Sequence, residues 1–218
     1  MARLLELRDL GSGVDYAAAC ELLADLSASR AAGRIPDTLL LLEHAPVYTL
    51  GRSGDPAHVL WSGRELAAAG IRVCRSTRGG DVTYHGPGQL VGYPVVHLGD
   101  AGLSVLGYVE AIETVLIRTA AGFGVTARRD ARNRGVWVGN DKLAALGIRV
   151  SRQVASHGFA FNVAPRLDHY RGIVACGLKG AGVTSLAAIL GRPPDMTEVR
   201  RTVVAAFCDV LGYESPAV

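Results

Sequence analysis

Apolar and polar residues alternate across residues 4–10, the pattern of a half-buried strand. From 14 to 32 the spacing lengthens to that of a helix. Ala18, Leu22, Leu23 and Leu26 fall near one i, i+4 face, and Gly33 suits the stop. "TLLLLEH" and "VYTLG" read as short buried strands interrupted around Ala45 and Pro46. A helix is expected over 63–69, ending at Gly70, and "IRVCRS", "DVTYH" and "QLVGYPVVHL" are further strands. The strongest helix covers 103–121, where Val105, Tyr108, Val109, Ile112, Val115 and Leu116 make a continuous stripe. "GVWVG" and "KLAALGIRV" flank Asn140 and Asp141, a plausible hairpin turn. "GFAFNVA" is another strand. The last helix spans 194–211, with Asp195 in its first turn, where the macrodipole favours a carboxylate.

Several strands follow one another with no helix between them. That order predicts an α+β fold with a central mixed or antiparallel sheet flanked by helices, rather than a doubly wound parallel sheet. The 218 residues form one expected domain, 1–218, with no repeat or linker. Composition changes little: 49% hydrophobic and 20% charged residues are ordinary for a globular protein. A net charge of +3 is too weak to point to nucleic acid. No window holds the roughly 20 apolar residues of a membrane span. Glu6 and Asp9 stand where the core of a signal peptide would lie, so a cytoplasmic location is expected. Cys20, Cys74, Cys176 and Cys208 are far apart and form no CxxC, so neither disulfide framework nor zinc site is indicated.

Three stretches carry candidate chemistry. In "RGGDVTYHGPGQLVGYPV" (78–95), paired Gly79 and Gly80 let backbone approach a ligand, and Gly86-Pro87-Gly88 forces a turn after His85. A plain glycine-rich hairpin accounts for it equally well. In "NDKLAALGIRV", Lys142 opens an apolar strand; the commoner fate of such a lysine is to face water. In "ACGLKGAGVTS" (175–185), Cys176 stands among glycines. The order Lys179-Gly180 fails the Gly-Lys-Ser/Thr test of a phosphate loop. Cys176 is then either an inert small hydrophobe or a nucleophile with open backbone beside it.

Taken in order, "RGGDVTYHGPGQLVGYPVV", "KLAALGIRV", "HGFAFNVAP" and "ACGLKGAGVTSL" closely resemble the lipoyl(octanoyl) transferase family. The resemblance covers most of the chain, and implies a core at about 35–212 with the fold of the biotin and lipoate protein ligases. It implies an acyltransferase that takes octanoyl from octanoyl-acyl carrier protein and passes it to a lysine of lipoyl domains or of the glycine-cleavage H protein. It implies catalytic Cys176 and Lys142, no cofactor and no metal. The substrate-binding positions it implies are Arg78, Gly79, Gly80, Asp81, Val82, Thr83, Tyr84 and His85, then Ala145, Leu146 and Gly147, then Gly158, Phe159 and Ala160. Relatives often carry an aromatic before the "HG", where this chain has "SHG" with His157.

The residue types suit that chemistry. A thiolate attacks a thioester readily, and a nearby lysine can favour the thiolate or move protons. Thioester to amide is downhill, so no ATP is needed, in keeping with the failed phosphate loop. Arg128, Arg129, Arg132 and Arg134 fall within seven residues, either as a solvated loop or as a docking rim for an acidic carrier. Two competing functions are an ATP-using lipoate or biotin ligase, which would need no Cys176, and a non-catalytic acyl-carrier-binding module, which could dispense with Lys142 or Cys176.

Overall fold

The alternating start of the chain forms β1 (Leu5–Asp9), and the Asp15 carboxylate then caps α1 (Tyr16–Ala31) by accepting from the amides of Ala17 and Ala18. β2 (Asp37–Leu42) and β3 (Val47–Leu50) follow, then a 3₁₀ turn at Pro56–His58. A capping box between Ser62 and Glu65 starts α2 (Gly63–Ala69), and left-handed Gly70 ends it. Next come β4 (Arg72–Arg75), β5 (Val82–His85), β6 (Gln89–His97) and α3 (Val105–Gly122). β7 (Val136–Val138), β8 (Asp141–Ser151) and β9 (Val154–Asn162) follow, then a second 3₁₀ turn at Leu167–Gly172. The chain closes with β10 (Gly182–Val183), α4 (Leu186–Leu190) and α5 (Met196–Leu211). This computed structural model describes residues 3–174 and 182–214.

Among the described residues the strands form two sheets. The larger runs β1-β2-β6-β9-β8-β10, with β7 also on β8; the smaller runs β4-β3-β5. β1–β2, β8–β10 and β3–β4 are parallel pairs and the rest antiparallel, so both sheets are mixed. α3 and α5 cover one face of the large sheet, burying Ile112, Leu116, Val203 and Phe207 against Leu39, Leu41 and Phe161. α1 covers the other, burying Ala19, Leu23 and Leu26 against Leu40, Leu42, Val91 and Tyr93. Covered on both faces, β2 is apolar at consecutive positions. The small sheet has its own core of Tyr48, Leu50, Ile71, Val82 and Tyr84. This is the α+β arrangement expected from the strand order. Among the described residues no helix is long and apolar enough to cross a membrane.

Local details differ from the sequence pattern. The buried face of α1 is Tyr16, Ala19, Leu23 and Leu26, and Ala18 is exposed. The stripe on α3 begins at Tyr108, and Val105, in the first turn, is 52% exposed. Asp195 is the N-cap of α5 and lies outside its first turn, accepting from the Thr197 amide. The β7–β8 turn falls at Gly139 and Asn140, because glycine supplies a φ of 58° there. Short β10 and α4 and the two 3₁₀ turns carry too few residues for a periodic signal.

Candidate active site

A cavity of about 240 Å³ lies where the two sheets meet. Residues 78–85 contribute Arg78, Gly80, Asp81, Val82, Thr83 and His85 to its wall. β8 contributes Lys142, Ala145, Leu146 and Gly147, and β9 contributes Gly158, Phe159 and Ala160. Ser53, Tyr93, Asn133 and His157 complete it. The motifs that carry residues 78–85, Lys142 to Gly147 and Gly158 to Ala160, far apart in the chain, are thus brought to one space. Two of the residues named with them are not. Gly79 donates its amide to the Ile148 carbonyl at 3.2 Å, tying the loop to β8 outside the cavity. Tyr84 points into the small-sheet core, where its hydroxyl meets His169 Nδ1 at 2.9 Å.

Arg78 shapes the loop that carries it. Its buried guanidinium donates to Thr49 Oγ1 at 2.9 Å, to the Asp81 carbonyl at 2.7 Å and to the Gly79 carbonyl at 3.0 Å. The loop is thereby folded onto β3, and left-handed Gly80, with φ of 84°, allows the reversal. Asp81 is held in turn by His58 Nδ1, 2.5 Å from its carboxylate.

His85 is buried, with Nδ1 2.7 Å from Gln89 Oε1. The Gln89 amide nitrogen donates to Asn162 Oδ1 and to the Tyr84 carbonyl, so its oxygen faces His85 and His85 carries its proton on Nδ1. His44 donates from Nδ1 to the Val14 carbonyl at 3.0 Å and accepts the Tyr93 hydroxyl on Nε2 at 2.8 Å. His44 and His85 lie with their rings 5.5 Å apart. Burial holds both below the usual histidine range, and the neighbouring His44 and Arg78 push His85 lower still. Both lowered imidazoles favour the neutral form, and His85 presents its ring to the cavity with His44 beside it.

Lys142 is buried at the start of β8. Its Nζ donates to Asn133 Oδ1 at 2.9 Å and to the Arg134 carbonyl at 3.2 Å, and lies 4.7 Å from the centre of the Trp137 ring. The arginine-rich loop supplies these partners, and buried Glu113 of α3 pins it. Glu113 accepts from Arg129 Nε and from the Gly135 amide, both at 3.0 Å, and lies 3.6 Å from Arg134. Arg128 and Arg132 pair with Asp130, whose carboxyl they hold below its usual range. The four arginines thus brace their own loop against two carboxylates. Sequence reasoning missed Asn133, Tyr93 and Ser53. Asn133 sits inside the arginine run, and Tyr93 shares the Val91–Val95 face of β6, the one signal that marks it.

Cys176 lies outside the described residues. The chain before it is anchored where the Val174 amide donates to the His58 carbonyl at 2.9 Å. The chain after it returns as β10, with Val183 opposite Lys142 and the Thr184 amide donating to the Lys142 carbonyl at 3.0 Å. Among the described residues no group of three His, Cys, Asp or Glu is placed to hold a metal ion.

The family model "Lipoyl protein ligase A/B catalytic domain" matches residues 15–208. An octanoyltransferase of Geobacter metallireducens is 48% identical over 96% of this chain and 95% of its own. One from Chloroflexus aggregans is 46% identical over 95% of each. Among solved structures, the bipartite lipoate protein ligase of Thermoplasma acidophilum superposes with a TM-score of 0.72 at 16% identity, covering 99% of this chain and 87% of that one, a likeness of fold.

Proposed function

The chain belongs to the lipoyl protein ligase A/B catalytic family, and on that premise we propose that it is the acyltransferase that moves octanoyl from octanoyl-acyl carrier protein to a lysine of lipoyl domains, including the glycine-cleavage H protein, in lipoate biosynthesis. Its location is the cytoplasm. The observation that carries the mechanism is the position of Lys142. Lys142 lines the cavity, and the strand that ends the Cys176 segment pairs directly alongside it.

In the first half-reaction the Cys176 thiolate attacks the carbonyl carbon of the carrier thioester. The bond from that carbon to the carrier's sulfur breaks, and the leaving thiolate takes a proton from Lys142. In the second, the acceptor lysine amine attacks the acyl-Cys176 carbonyl, and its proton passes to the now neutral Lys142 as the C–N bond forms and the C–S bond breaks. The Cys176 sulfur leaves as thiolate, which restores the starting pair of thiolate and ammonium. Each oxyanion needs N–H donors; the backbone beside Gly177 and near Leu146 and Gly147 are the candidates. Ala145, Ala160 and the ring of Tyr93 give the octanoyl chain an apolar wall on the α1 side of the sheet. Storing the acyl group on the enzyme lets one large protein partner leave before the other docks.

Intact-mass spectrometry tests this. Octanoyl-carrier protein alone, without ATP, should add one octanoyl mass, removable by hydroxylamine and absent in Cys176→Ala. Cys20→Ala, Cys74→Ala and Cys208→Ala should each keep it. Adding a lipoyl domain should transfer it to a lysine amide. A requirement for ATP would favour a ligase, and transfer at the parental rate by Cys176→Ala would favour direct attack by the acceptor.

A further inference from the structure

We infer that the imidazole of His157 is the end wall of the acyl slot and sets the longest chain the slot accepts; this rests on the octanoyl-transfer reading above. Strand alternation alone would put this side chain elsewhere. On β9, Ala155, Phe159 and Phe161 face the α3 core, while Val154 and Ala160 face the α1 side. An odd-numbered residue between Ala155 and Phe159 belongs to the α3 face. His157 instead has a left-handed backbone, with φ of 54°. The β6–β9 register runs to Gly92 opposite Phe159 and resumes at Val96 opposite Ala155. In the gap lies Pro94, which has no amide to donate. The flip turns the imidazole against Tyr93, edge to face at 5.8 Å, and brings Nε2 to 3.1 Å from Thr77 Oγ1.

That position is a partition. Beyond it lies a second space of about 230 Å³, between α1 and the far ends of β8 and β9. Leu23, Ala24, Ala28 and Val154 form its apolar side, and Ser27, Ser156, Arg149 and Arg152 are among its polar lining. His157 is the one described residue that lines both spaces. An acyl chain growing past the end of the first cavity would enter the second if the ring were absent.

Stability does not account for the arrangement. A left-handed non-glycine residue is itself unfavourable. Among the described residues the buried Nδ1 also makes no hydrogen bond, an uncompensated desolvation. Both penalties fall on the one side chain that separates the two spaces.

The test is chain-length preference. Glycine and asparagine both tolerate the left-handed backbone, so His157→Gly and His157→Asn remove the ring with the least strain. The two variants and the parent are compared by kcat/KM on octanoyl- and dodecanoyl-carrier protein, with thermal melts to verify folding. The ratio of dodecanoyl to octanoyl use should rise by about tenfold or more in His157→Gly, the scale on which apolar pockets discriminate chain length, and by less in His157→Asn. If His157→Gly does not fold, His157→Asn decides by the same ratio. A parental ratio in a folded variant overturns the end wall alone. A parent inert toward octanoyl-carrier protein overturns the transfer reading and the wall with it.

Discussion

Lys142 Nζ donates to Asn133 Oδ1 at 2.9 Å, and Asn133 is itself fixed, since its carbonyl accepts the Trp137 indole N–H at 3.2 Å. The lysine is therefore aimed by a loop residue of no evident chemistry. Asn133→Ala should slow octanoyl transfer by on the order of 10²-fold, the effect of misplacing a catalytic group by about 1 Å. Asn133→Asp keeps an acceptor and should retain more activity. The single-turnover rate of acyl-enzyme formation is the measurement, and a parental rate in Asn133→Ala would remove this residue from the site.

Glu113 connects the core to that loop. Glu113→Gln should lower stability by about 1–2 kcal/mol, a value kept small because Arg129 and Arg134 are half-exposed and well solvated. It should also slow transfer, because the loop it pins presents Asn133 to Lys142. Arg128→Ala, at a mostly exposed position paired with Asp130, should leave the melting temperature unchanged. If Arg128 also steers an acidic carrier, its loss should lower carrier use at low salt and have no effect at high salt. An unchanged rate at low salt would assign Arg128 to loop bracing alone.

The elements that follow a strong period were legible in the sequence. β2 reads as a run of leucines, α3 as a 3.6-residue stripe, and the bounds of α2 follow from its caps. The cavity was legible as a set of motifs, because the motifs on the described residues are strands with their adjoining turns. What a motif does not reveal is its two faces. On β5 alternation sends Thr83 and His85 toward the cavity and Tyr84 into the small-sheet core. Charge patterning likewise failed at the arginine run. Its partner Glu113 comes from a helix elsewhere in the chain, and only the fold brings the two together. The reversal at His157 is a single backbone angle and leaves no trace in an apolar-polar pattern.

The neutral histidines make stability depend on pH. Burial, aided by Arg78 and Arg149, pushes His157 down to about 4, and His44 and His85 also lie below the usual range. For such groups the unfolded chain holds more protons than the native one once pH drops below about 6.5, so stability falls as pH falls. The contribution is complete above that pH and is lost from about 6.5 down toward 4. His157 alone accounts for about 3 kcal/mol across that window. Urea melts at pH 7 and pH 5 should show the parent weaker at pH 5, and His157→Asn should flatten the difference. Equal midpoints for the parent would mean that these histidines are protonated in the native state.

Lys142 should govern the reactivity of Cys176, and the geometry says which substitutions separate charge from shape. Among the described residues the ammonium meets Asn133 Oδ1, the Arg134 carbonyl and the face of Trp137. Lys142→Met keeps the length and apolar stem but removes the charge. It leaves the two oxygens without this donor, so a stability loss of about 1–3 kcal/mol is expected beside the catalytic one. Lys142→Arg keeps the charge, yet a planar guanidinium does not fit a site shaped for a compact ammonium and does not release a proton near neutral pH. Alkylation by iodoacetamide, read at Cys176 by peptide mass spectrometry, separates the roles. In Lys142→Met the alkylation curve should move to higher pH, because the positive charge that favours the thiolate is gone. In Lys142→Arg the curve should stay near the parent's while octanoyl transfer remains slow, since thiolate formation needs only charge and turnover needs a proton carrier. Parental alkylation curves in both variants, with transfer lost, would confine Lys142 to the later proton transfers. Parental transfer in Lys142→Met would remove it from the mechanism.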